Sequence, residues 1–110
     1  MDSKVLENFY NSVLNFINNI KVHRVYMENE DTIQLSNNTI YKIKNPVSTL
    51  TLLSPQTDNY ICHIIVSFTP SSILNIDNNM SLFNNFDDDG GDYEISILNG
   101  SVICAKRVKT

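Results

Sequence analysis

The sequence predicts a mainly β domain, an antiparallel β-sandwich or jelly-roll-like fold, preceded by one N-terminal α-helix. Three observations predict it. Apolar residues recur in steps of three and four over residues 3–20, the period falls to two from residue 22 onward, and turn-forming Asn, Pro and Gly punctuate the rest at short intervals. The chain thus divides into a helix over residues 1–20 and a β-domain over residues 21–110.

In the helix, Ser3 or Asp2 can cap the first turn, because a short side-chain oxygen accepts from its unpaired N–H groups. Leu6, Phe9, Val13, Phe16 and Ile20 then occupy the a and d positions of two heptads, and Val5, Tyr10 and Ile17 widen the stripe. Two heptads cannot hold a coiled coil together alone. The stripe therefore fits either a cover for the domain's own sheet or an oligomerising stem that shares the work with the β-domain. Phenylalanine at two of these positions is bulky for a tight dimer seam, so a homotrimer is expected, with Leu6, Phe9, Val13, Phe16 and Ile20 at its interface.

Ile33 and Leu35 alternate with Thr32 and Gln34, and Asn37-Asn38 makes a turn, since Asn tolerates positive φ and bonds nearby backbone. Ile40 to Ile43 is a strand ended by Asn45-Pro46, and Val47 to Leu53 is a strand ended by Ser54-Pro55. Tyr60 to Thr69 is apolar on both faces and reads as a central strand, stopped by Pro70. A short strand over Ile73 to Ile76 leads into an acidic, Asn-rich loop from Asp77 to Asp92. Tyr93 to Leu98 and Val102 to Val108 then form a hairpin about Asn99-Gly100, which supplies the two positive φ values of a type I′ turn. Many short strands between turn residues point to sheet-on-sheet packing rather than βαβ units.

Composition narrows the function classes. Hydrophobic residues make up 42% and charged residues 18%, which suits one small globular domain. A net charge of −4, with the only basic cluster at Lys106, Arg107 and Lys109, argues against a nucleic-acid binder. No apolar run approaches the roughly 20 residues that span a bilayer, so no membrane partner is expected. Met1-Asp2-Ser3-Lys4 does not open a secretory signal, which predicts cytoplasmic synthesis and reduced thiols at Cys62 and Cys104.

Little of the chain reads as reactive chemistry. Asn85, Asp87 and Asp89, followed by Gly90, match the opening of a calcium loop, but Ser96 stands where a bidentate Glu is required and a strand follows. An EF-hand is excluded; a looser calcium site on Asn85, Asp87 and Asp89 stands against a solvated turn. His23, His63, Cys62 and Cys104 lack the close pairing of zinc ligands. No Gly-x-Ser-x-Gly elbow or phosphate-cradling Gly loop occurs, so no catalytic residue and no cofactor are expected.

Four segments in order carry a resemblance: Leu35-Ser36-Asn37-Asn38-Thr39-Ile40-Tyr41, Leu50-Thr51-Leu52 with Ser54-Pro55, Tyr60 to Thr69 ending Ile65-Val66-Ser67-Phe68-Thr69, and Tyr93-Glu94-Ile95-Ser96-Ile97-Leu98-Asn99-Gly100. Together they resemble a β-module of tailed-phage structural proteins, the kind in head fibres, tail fibres and baseplate appendages. The resemblance covers roughly residues 32–105 and departs between Ile73 and Asp92, where a Gly-rich strand with a Pro and a Trp is usual. It implies a non-enzymatic virion component, often trimeric, made in a bacterial cytoplasm and contacting capsid or tail proteins. One alternative is a carbohydrate-binding module that uses Tyr10, Tyr26, Tyr41, Tyr60 or Tyr93 on a host surface glycan. Another is a small cytoplasmic protein that engages a host protein.

Overall fold

The computed structural model describes residues 3–83, 86 and 89–106. Its elements run α1 (Ser3–Ile17), β1 (His23–Met27), β2 (Thr32–Gln34), β3 (Thr39–Ile43), β4 (Val47–Leu53), β5 (Ile61–Ile76), β6 (Ser81–Leu82), β7 (Gly91–Leu98) and β8 (Ser101–Lys106). The chain is mainly β with one N-terminal helix, as the periodicities predict, but the strands are not wound as an antiparallel sandwich or jelly roll. β1 pairs parallel with β3, and β3 with the front half of β5; β2 pairs parallel with β4, and β4 with the back half of β5. The chain therefore stacks three coils, β1 with β2, β3 with β4, and the two halves of β5, a short solenoid-like arrangement. His23, Thr39 and Cys62 lie in one row, and Ile33, Leu52 and Ile76 in another.

The correction has a local cause. Turn residues reveal where a strand stops, and not whether the chain folds back beside it or turns a corner to the opposite side. Here it turns corners. Lys44 N–H donates to Met27 O at 2.8 Å, Asn45 N–H to Glu28 O at 2.9 Å and Thr51 N–H to Asp31 O at 2.8 Å, so the second coil is bonded to the first around the corner between their two sides. Pro70 does not end its strand either. Ser71 takes φ 63°, the β4–β5 register shifts between Val47 and Thr49, and β5 rounds the corner in one piece to Ile76.

On the far side of the front half of β5 the expected hairpin closes the sheet. β7 runs antiparallel to β5 (Ile64 opposite Ile95) and β8 antiparallel to β7, through Asn99 at φ 50° and Gly100 at φ 90°. β6, within the stretch expected to be loop, adds Ser81 and Leu82 parallel to β8. The core lies between the two sides of the coils. Tyr41, Ile43, Cys62, Ile64, Val66 and Phe68 from the front meet Ile33, Leu35, Leu50 and Leu52 from the back, and Tyr93, Ile95, Ile97, Val102 and Cys104 extend it under the hairpin. Among the described residues, no helix is long and apolar enough to cross a membrane.

Helix α1 ends at Ile17, three residues short of the stripe's last member, and crosses the outer face of the front sheet. Phe9 and Val13 pack on Ile103, with Leu6, Ile17 and Leu98 beside them. Phe16 packs with Val22 and Ile40, beside Ile17 and Ile61.

Candidate functional site

The outer face of the front sheet has a covered half and an open half. The period of two sends Arg24 and Tyr26 of β1, Ile40 and Lys42 of β3, Ile61, His63 and Ile65 of β5, and Ser96 and Glu94 of β7 outward. The helix covers Ile40, Ile61, Leu98 and Ile103. Beyond it the row Tyr26, Lys42, Ile65, Glu94 and Ala105 crosses five strands. A groove of about 380 Å³ opens there, with Tyr26, Lys42, Ile65, Ser67 and Asp92 in its walls. Tyr26 is 73% exposed, the most exposed aromatic residue of the sheet.

Next to the groove lies a polar cluster that sequence spacing does not reveal. His63 Nδ1 is 3.0 Å from Ser96 Oγ, and His63 Nε2 is 3.2 Å from Glu94 Oε1. The carboxylate can only accept from Nε2–H in the neutral ring, which leaves Nδ1 to accept from the Ser96 hydroxyl. His63 and Ser96 are direct cross-strand neighbours, and Glu94 lies one outward position along β7. These are the residue types of a nucleophile–base–acid triad, in working order. Ser96, however, is buried in mid-strand with β5 on one side and β8 on the other. Its neighbours' N–H groups belong to those ladders, so none is grouped into an oxyanion hole. The cluster satisfies a buried histidine. Its only sequence signal is the shared outward parity of His63, Glu94 and Ser96 across two strands, which becomes visible once the register is known.

The residues singled out by sequence fall into different places. Of the stripe, Phe9, Val13 and Phe16 are buried against the chain's own sheet, Leu6 is half-buried and Ile20 is 94% exposed. The cover reading thus accounts for four of the five, Leu6 packing beside Phe9 and Val13, and leaves out Ile20. A threefold seam through them requires the helix to leave the sheet. Of the calcium candidates, Asn85 and Asp87 lie outside the described residues, as do the alternative cap Asp2 and the basic Arg107 and Lys109. Asp89 accepts from Lys106 Nζ at 2.8 Å. Among the described residues no three His, Cys, Asp or Glu side chains gather as a metal site.

Cys62 and Cys104 are free and buried. They stand on β5 and β8 with β7 between, offset by two residues along the strands and so more than roughly 10 Å apart, too far for a bridge. Burial pushes both thiols up to about 12. Cys62 Sγ–H also donates to Ser36 O at 2.9 Å. Of the five tyrosines, Tyr41, Tyr60 and Tyr93 are core residues, and Tyr10 and Tyr26 remain at the surface. Asp77, at the end of the third coil, accepts from both Ser54 N–H and Ser54 Oγ–H at 2.7 Å, and these bonds hold its carboxyl below the usual range.

Comparison of the chain with protein-family models, curated proteins and solved structures finds no match.

Proposed function

We propose that the chain is a non-catalytic structural subunit of a tailed-phage particle, a head-fibre or tail-appendage component made in the host cytoplasm and held in the virion by capsid or tail proteins. The observation that carries this reading is the ordered set of four segments together with their place in the fold. Leu35 to Tyr41 forms a coil corner and enters β3, Leu50 to Leu52 lies in β4, Tyr60 to Thr69 leads into and forms the front of β5, and Tyr93 to Gly100 forms most of β7 and its turn. In space they are bonded to one another, β3 and β4 to β5, and β5 to β7. They also supply most of the core, including Leu35, Tyr41, Leu50, Leu52, Val66, Phe68, Tyr93, Ile95 and Ile97. A pattern built on these positions specifies one packed unit rather than scattered turns. Self-association belongs to this reading, and with the helix docked its contact falls to the β-domain.

Mass spectrometry of purified particles is the test. The chain should be present in stoichiometric copies, and its absence from particles would sink the proposal. One observation favours a second reading, a glycan-contacting module: Tyr26 stands exposed beside a groove walled by Asp92 and Lys42. A glycan array probed with the assembled protein, and showing no hit, removes it.

A further inference from the structure

The first coil ends the stack. β1 bonds to β3 on one side, and its other side has no strand among the described residues. In a parallel ladder each residue aims both backbone groups the same way, and successive residues alternate. His23 N–H donates to Asn38 O at 3.0 Å, and Met27 O accepts from Lys44 N–H at 2.8 Å, so residues 23, 25 and 27 face β3. Arg24 and Tyr26 therefore present N–H and C=O to the open edge. No Pro, Gly or bulge interrupts His23–Met27, and the Lys or Arg it carries is Arg24 alone.

We propose that this edge pairs with the same edge of a second copy, antiparallel about a two-fold axis at Tyr26, to give one sheet continuous through a dimer. The sequence around that axis is self-complementary. Arg24-Val25-Tyr26-Met27-Glu28 reads cation, apolar, aromatic, apolar, anion. With Tyr26 opposite the partner's Tyr26, the outward backbone groups meet as a hydrogen-bonded pair. Glu28 is the first residue beyond β1 and its C=O is bonded to Asn45 N–H, so it joins by its exposed side chain alone. Arg24 faces the partner's Glu28 side chain, twice by symmetry, and Val25 stands across from the partner's Met27 on the core side, where both are half-buried.

Other registers lose this match. A one-residue slip turns bonded groups away from each other. Centring on Val25 sets Arg24 against the partner's Tyr26 and leaves Glu28 unmatched, and a parallel arrangement sets like charges side by side. Arg24 also donates from Nη2 to Ile17 O at 3.3 Å, a long bond at the helix C-terminus, and its guanidinium has further donors for a carboxylate. The pairing is independent of where the protein resides, so it stands or falls apart from the virion reading.

Sedimentation of the full chain across micromolar to millimolar concentration tests the proposal. The mass should rise from 12.5 kDa toward twice that value. Arg24→Glu and Glu28→Arg should each hold the protein at monomer mass, because each places like charges across the axis. An equimolar mixture of the two variants should restore the dimer, since each mixed pair is again complementary. A wild-type mass that stays at one chain or settles at three, or folded variants whose mixture stays monomeric, overturns it. Hydrogen exchange on the wild type reads the same point without any variant. The Tyr26 amide should exchange at least tenfold more slowly in concentrated than in dilute protein, and a rate independent of concentration also overturns the pairing.

Discussion

Asparagine is the commonest residue of the chain, and several of its copies hold turns in place. Asn37 Oδ1 accepts from Ile61 N–H at 3.0 Å, Asn99 Oδ1 accepts from Tyr60 N–H at 2.8 Å, and Asn38 turns the chain at φ 62°. Each satisfies backbone groups that a strand leaves unpaired where it begins. The cysteines carry a prediction at this scale. Their pKa near 12 in the folded chain compares with 9.0 for a free thiol, so the unfolded chain releases those protons first. The stability they add is complete below pH 9 and is lost as pH rises from 9 toward 12, by at most about 1.4 kcal/mol per pH unit for each thiol. Tyr60, raised mainly by burial, acts with the same sign at higher pH. Urea midpoints between pH 8 and 10.5 should fall steeply for the wild type and less steeply for a Cys62→Ala, Cys104→Ala variant. Equal slopes would refute the account.

The helix is the element whose role the sequence leaves divided. A heptad stripe and a sheet-covering stripe call for the same residues, because both need an apolar band at steps of three and four. Burial separates them: Phe16 is 6% exposed while Ile20 is 94% exposed. Phe16→Ala should cost about 3–5 kcal/mol, since it opens a cavity between α1 and the Val22–Ile40 cluster. Ile20→Ala should change stability by no more than about 0.5 kcal/mol. Urea unfolding of both variants measures the contrast. If the two cost the same, the stripe is being used along its whole length and the helix is not docked as described.

At the scale of the whole molecule, stacked coils make stability uneven. The front half of β5 is hydrogen-bonded on both edges, to β3 and to β7, whereas the first coil is bonded on one edge only. Opening the first coil uncovers one end of the core, where Ile33 lies beside Leu52; opening β5 takes apart the core that Cys62, Ile64, Val66 and Phe68 share with the hairpin. Native-state hydrogen exchange in dilute protein should find the slowest amides in Ile61 to Phe68 and in β7. The β3-facing amides of His23, Val25 and Met27 should exchange faster. Uniform protection, or a first coil slower than β5, would contradict this order.

The sequence by itself determined where most strands stand and which side chains share a face, but not β6 or the run of β5 past Pro70. Those properties follow from a period of two, from Pro and Asn chemistry and from the φ demands of Asn99-Gly100, all of which act over a few residues. The strand at β1 was legible by the same rule, since His23-Arg24-Val25-Tyr26-Met27 alternates, but its weak hydrophobicity hid it. The tertiary structure alone decided that the strands run parallel in coils and that the helix lies on the sheet. It also decided that His63, Glu94 and Ser96 come together. A turn dipeptide does not encode whether the next strand lies beside the last or across the core from it. That choice rests on packing between residues some twenty positions apart, such as Ile33, Leu52 and Ile76, whose contacts exist only after the chain has folded.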